Sequence, residues 1–153
     1  MTKNNYLAWT VQANDFSDKW TDYEKLLFFA RYAILAPSGH NTQPWKFTKK
    51  DQSLMLEHNA DVQLAHSGKL AAEPYVSLGS CLETLVLAGQ AFGYELHTVI
   101  DNAATSITVS VGKKIAPQPA LASAIVNRAS NRKYYDETAV DKASVVGDNV
   151  GEI

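Results

Sequence analysis

Between residues 21 and 58 the apolar pattern changes period, and one short loop makes the change. Leu26, Phe29, Ala30, Ala33 and Ile34 recur at the three- and four-residue spacing of a helix face. Trp45 to Thr48 and Leu54 to His58 read instead as strands, the second alternating apolar with polar. Ala36-Pro37-Ser38-Gly39-His40-Asn41-Thr42-Gln43-Pro44-Trp45 joins the two patterns. Pro37 ends the helix, and the Gln43-Pro44 step predicts an extended backbone on entry to the strand. Such a junction demands helices layered on a sheet. The loop is also made of small and polar residues. It offers backbone N–H groups, a hydroxyl and an amide with little bulk in the way. Pro, Ser, Gly and Asn are common turn residues, so a plain helix-to-strand turn also fits these residues.

The rest of the chain continues the alternation. Thr21-x-x-Glu24 reads as a capping box opening a first helix over about 21–35. Residues 49–52 form a turn between the two strands, and 59–72 carry no pattern. Glu73-Pro74 opens a central apolar helix over about 74–92, with Leu78, Leu82, Leu85, Val86, Gly89 and Phe92 as its stripe and Gly93 as its stop. Ser77, Gly79, Ser80, Ala88 and Gly89 keep that helix slim enough for close packing. Leu96–Ile100 and Ile107–Val111 are two more strands across a polar turn, and a short helix follows Pro117 and Pro119 at about 120–128. The fold class is α+β, with a mixed or antiparallel sheet flanked by helices and no βαβ repeat. The chain divides into an N-terminal arm (1–20), one domain (21–132) and a polar tail (133–153) expected to fray.

Composition narrows the function classes. A chain of 153 residues, 46% hydrophobic and 20% charged, is an ordinary globular domain able to bury roughly 70% of its unfolded surface. Net charge is −2, which leaves no electrostatic footprint for nucleic acid or an anionic membrane. The N-terminus has no apolar secretory core, and the apolar runs are far short of a membrane span. The single cysteine, Cys81, precludes an internal disulfide and suits a reducing compartment, so a cytoplasmic location is expected. His40, His58, His66 and His97 lack metal-ligand spacing, and no metal site is expected. Cys81 on the packed helix reads as a buried, inert thiol. Glu83 reads as a candidate buried polar anchor, and Trp45 as a core anchor beside a structural Gln43. There is no phosphate-cradling glycine loop and no nucleophile elbow.

Three segments carry a resemblance. The loop at 36–45 resembles the flavin-contacting loop of the nitroreductase family, A-P-S-[SG]-x-N-x-Q-P-W. Ser77-Leu78-Gly79-Ser80-Cys81-Leu82-Glu83-Thr84-Leu85 with Ala88 to Tyr94 is similar to that family's central helix, most closely in the Acg-like branch. Asn127-Arg128-Ala129-Ser130-Asn131-Arg132-Lys133-Tyr134-Tyr135 is similar to the family's arginine-rich phosphate motif, which that branch writes R-x-[ST]-N-R-x-x-Y. Ordinary members carry the arginine motif before the first helix, where this chain has no arginine. In the Acg-like branch it opens the second of two related halves, so the chain resembles an N-terminal half.

The resemblance implies a nitroreductase-like fold, flavin mononucleotide (FMN) as cofactor, NAD(P)H as electron donor and a nitroaromatic, quinone or similar small-molecule electron acceptor. It also implies a homodimer. Pro37, Ser38, Gly39 and Asn41 would meet the flavin, and Arg128, Ser130 and Arg132 its phosphate. An extended 128–132 segment would present those last three on one side. From charge alone, the arginines read equally well as solvated cations at a helix end. This chemistry needs no protein nucleophile, so no catalytic side chain is expected. The alternatives are a flavin-binding or storage protein without turnover, and an inactive fragment that keeps the fold.

Overall fold

The computed structural model describes residues 7–62, 72–102, 105–131 and 133–134. Arg132 and almost all of the polar tail therefore lie outside the described residues. Helix α1 spans Asp22–Ala33, strand β1 Trp45–Lys50, β2 Ser53–His58, helix α2 Glu73–Ala91, β3 Tyr94–Asp101, β4 Ser106–Lys114 and helix α3 Pro119–Asn127. The four strands form one sheet in the order β1-β2-β4-β3, and every pairing is antiparallel. Trp45 lies opposite His58, Leu54 opposite Val109, and Ile100 opposite Ile107. α2 is the crossover that brings the β3–β4 hairpin beside β2.

Local chemistry sets these boundaries. The Thr21 hydroxyl accepts from the Glu24 amide at 3.3 Å, while the Glu24 carboxylate accepts from the Thr21 amide at 2.8 Å. That capping box starts α1 where the sequence places it. Pro74 sits in the first turn of α2, where its missing N–H costs nothing. Gly93 follows α2 with φ +84°, a left-handed turn residue that admits glycine most easily. The strands run longer than the alternation alone suggested, because hairpin pairing carries β1 to Lys50 and β4 to Lys114.

The core lies between the sheet and the helices. Leu54, Leu56 and Val109 from the sheet meet Leu26, Phe29, Ala33 and Leu85 from α1 and α2, all essentially sealed from water. Phe16 stacks against Phe29, at 5.7 Å between ring centroids, and also touches Phe28, Phe92 and Tyr94. Buried Val11 adds a second anchor, so the N-terminal arm is stitched into the core. The Asp18 carboxylate accepts from the Tyr94 hydroxyl at 2.7 Å and from Lys114 at 3.0 Å, tying the arm to the sheet.

Two expectations for α2 need correction. The sealed seam is Leu78, Cys81, Leu85 and Ala88, while Leu82, Val86 and Phe92 pack only half-buried against it. Glu83 faces outward and is exposed, not a buried anchor. The physical reason is a small shift of phase. The residues closest to the sheet are small enough for close approach, and the larger ones fill the flanks. Cys81 is fully buried as expected, and desolvation pushes its thiol up to about 12. It stays protonated near neutral pH and is a poor nucleophile.

Candidate functional site

The site is built on the exit from α1. Its last turn tightens: the Leu35 amide donates to Tyr32 O and the Ala36 amide to Ala33 O, both at 3.0 Å. Pro37 then turns the chain away from the helix. A single 3-10 turn, Gly39–Asn41, closes with the Asn41 amide on Ser38 O and the Thr42 amide on Gly39 O, again at 3.0 Å. The Ser38 hydroxyl oxygen accepts from the Gln43 amide at 3.0 Å, stapling the two ends of the loop.

The backbone here is strained. His40, Asn41 and Gln43 have φ of 49°, 57° and 50°, in the left-handed region that side chains with a Cβ rarely enter. The expected extended backbone at Gln43 is therefore overturned. The Ser38 hydroxyl holds the Gln43 amide, and that local bond outweighs the pre-proline preference. Each such residue costs on the order of 1–3 kcal/mol, and clusters of them mark functional loops.

The loop is held against α2 from below. The Gly39 amide donates to the Ser77 hydroxyl at 3.1 Å, and that hydroxyl donates to Glu73 O at 3.0 Å. A Cβ at Gly39 would run into the Glu73 carboxylate. Any side chain here would have to push the Glu73 carboxylate aside, so packing against α2 favours glycine.

Arg128 approaches from the other side, at the C-terminal end of α3, with an extended backbone at ψ 134°. Its Nη2 donates to Leu35 O at 3.1 Å and its Nη1 to the Ser130 hydroxyl at 3.3 Å. Its Nε is buried and has no hydrogen-bond partner. A solvated helix-end cation would look different: this guanidinium is half-buried, and one of its donors is sealed from water without an acceptor. Leaving a buried charged donor unpaired is costly, and the guanidinium as a whole brings a positive charge to the cavity lining.

Arg128 and the loop meet at one cavity of about 370 Å³, lined by Ala8, Trp9, Ile34, Leu35, Ala36, Asn41, Gln43 and Arg128. Among the described residues of that lining, Arg128 is the only charged one. It also borders a second cavity of about 200 Å³, with Thr84, Leu87 and Ala124 among its walls. The larger space is within the usual range for a small-molecule site and is amphipathic. Ile34, Leu35, Ala36 and the Trp9 indole form the apolar part, and two amides and a guanidinium the polar part.

Of the residues singled out by the sequence, the structure brings Asn41 and Arg128 to this cavity, with Ser130 reaching it through Arg128. Pro37, Ser38 and Gly39 shape the loop without lining the cavity, and Arg132 lies outside the described residues. Sequence reasoning missed Trp9 and Gln43. Gln43 reads as structural, yet it is exposed on the cavity. Trp9 sits in an arm with no period. The one signal for it is a large aromatic that no apolar stripe absorbs.

No family model matches the chain. Two Mycobacterium tuberculosis proteins, from strains CDC 1551 and H37Rv and provisionally named NAD(P)H nitroreductases, are each 30% identical to it over 120 residues. The aligned region is 74% of this chain and 35% of each relative, so the chain spans about a third of their length. Among solved structures, a nitroreductase family protein from Streptococcus pneumoniae TIGR4 superposes with a TM-score of 0.50 at 14% identity. That match covers 86% of this chain and 92% of the other. The fold is thus of the nitroreductase type, an α+β arrangement as the sequence implied.

Proposed function

We propose that the chain is a nitroreductase family protein of the Acg-like branch that binds FMN and passes electrons from NAD(P)H to a nitroaromatic, quinone or similar acceptor. One observation carries this reading. The loop at 36–45 and Arg128, far apart in the chain, meet at a single cavity, where Arg128 supplies a positive charge. The shared fold and the names of the mycobacterial relatives support it.

The residues present suit the cofactor. Its phosphate is a dianion, and Arg128 brings a planar, positively charged guanidinium to the cavity lining. Ser130 steadies that guanidinium, and Arg132 belongs to the same proposed set. Asn41 supplies amide hydrogen-bonding groups from the opposite wall, while the Ser38 staple and the Gly39 contact hold its backbone in place. Pro37 sets the direction of entry. When bound, FMN supplies reversible hydride acceptance between a nicotinamide and the final acceptor. The chain's part is to bind, orient and shield, so no protein acid, base or nucleophile belongs to the proposal. The exposed Tyr75 and Val76 on α2, at 49% and 68%, give it an apolar face for a homodimer. Among the described residues no helix is long and apolar enough to cross a membrane. A cytoplasmic location is part of the proposal.

The test is a visible spectrum of the purified chain after incubation with FMN and desalting. A retained flavin band that NADH or NADPH bleaches supports the oxidoreductase. A band bleached by dithionite but by neither nucleotide reduces the role to flavin storage. A colourless protein sinks the reading.

A further inference from the structure

We infer that Trp9 is a ligand-contacting residue of the cavity, an aromatic wall that the N-terminal arm supplies to the flavin that Arg128 and Asn41 hold. The inference rests on the FMN reading above and adds a residue and a selectivity to it.

Trp9 lies on the 3-10 turn Leu7–Thr10, in which no residue is buried. The turn has little reason of its own to hold an indole in place. It is kept there by Val11, which is buried, by Ala8, which packs on the core, and by the Thr10 hydroxyl donating to Leu7 O at 2.7 Å. Trp9 is left 37% exposed at the edge of the same 370 Å³ space as Arg128, Asn41 and Gln43. Trp20 and Trp45 are placed otherwise. Trp45 is buried in the core, and Trp20 makes an edge contact with Phe16. Neither lines this cavity.

The physical content is the pairing of two unlike walls. A guanidinium in the lining selects an anion by its charge. An indole beside it selects a flat, unsaturated or apolar group on the same molecule, through stacking and area burial. A small inorganic anion would use only the first wall and a neutral aromatic only the second. A planar ring system joined to a phosphate uses both, and the cavity is large enough for a substantial part of such a molecule. Trp9 thereby makes the site selective for phosphorylated aromatics over free phosphate.

Isothermal titration with FMN on the full chain tests this, using Trp9→Leu, which keeps an apolar cover, and Trp9→Phe, which keeps a ring. The expected result is roughly fivefold or greater weakening in Trp9→Leu and recovery to within about twofold in Trp9→Phe, from the usual worth of an aromatic contact. The second readout is the indole N–H resonance of Trp9 in the wild-type chain, identified by its absence in Trp9→Phe. FMN should shift it more than the indole signals of Trp20 and Trp45. This readout stands even where Trp9→Leu fails to fold. Wild type that binds FMN with an unmoved Trp9 resonance, or with equal affinity in Trp9→Leu, overturns the inference and leaves the FMN reading intact. Wild type that binds no FMN removes the reading and the inference together.

Discussion

The aromatic core is built along α1 and the cavity loop follows its C-terminal end, and the two rest on opposite principles. In the core, Phe28, Phe29, Tyr32, Phe92 and Phe16 interlock at 4.8–6.2 Å between ring centroids. At the loop, three residues with side chains adopt a left-handed backbone, a guanidinium donor is buried unpaired, and an indole is left at the surface. The first region lowers the free energy of the fold. The second raises it, and in the proposed reading those costs are kept for the ligand. Stability and recognition are thus assigned to different residues, and substitutions should separate them.

The largest effect is expected in the core. Phe29→Ala removes a fully buried ring and should destabilise the chain by about 3–5 kcal/mol in urea unfolding. FMN affinity of whatever remains folded should be preserved. A loss of less than about 1 kcal/mol would mean that the aromatic cluster is not the stabilising centre.

Arg128→Gln should do the reverse. FMN binding should weaken by about tenfold or more, because a charge-assisted donor set is lost. Stability should change by only about 1 kcal/mol, the net worth of the bond to Leu35 O. Unchanged affinity in a titration, with a large fall in melting temperature, would make Arg128 a structural residue and erase the contrast.

The loop's seat on α2 gives a middle-sized effect. Gly39→Ala should cost about 1–2 kcal/mol, since the new methyl must displace the Glu73 carboxylate. Combining it with Glu73→Ala should recover most of that loss. Additive costs in the double mutant would show that the contact does not govern the position. Thr21→Ala, which removes half of the capping box far from the cavity, should cost about 1 kcal/mol and leave FMN binding untouched.

The smallest effect is a pH dependence. The Asp18 carboxyl is held below its ordinary value, first by the Tyr94 hydroxyl and then by Lys114. A carboxylate whose folded pKa is depressed adds stability that is complete above its unfolded pKa. That stability is lost as pH falls through the folded value. Wild type should therefore lose stability more steeply than Asp18→Asn below about pH 4. Parallel curves across that range would show that the arm's tie to the sheet carries no linkage.

The contrast also explains what could be read in advance. Thr21-x-x-Glu24, Pro74 and Gly93 act on the backbone within one or two turns, so their effects are local and visible in the sequence. The α1 stripe was legible because burial there follows the helical period over a wide face. The α2 seam was legible only to within a residue. Leu82 and Val86 satisfy the same spacing as Cys81 and Ala88, and closeness to the sheet selects the smaller pair. The site was half legible. Asn41 and Arg128 were singled out by the family resemblance. The backbone at Gln43 was misread, because a hydroxyl five positions earlier holds its amide in a left-handed turn. Trp9 was missed, because nothing periodic leads to it.

By itself the sequence determined the order of elements, the caps that bound them, the fold class and the segments that resemble a flavin site. Those features rest on interactions between near neighbours in the chain or on periods that repeat along it. Only the tertiary structure decided that the loop after α1 and the arginine after α3 share one cavity, that the N-terminal arm closes its side, and that one guanidinium donor there is left unpaired. These depend on contacts between residues tens of positions apart. Their existence is set by how helices pack on a sheet, and no local spacing encodes it.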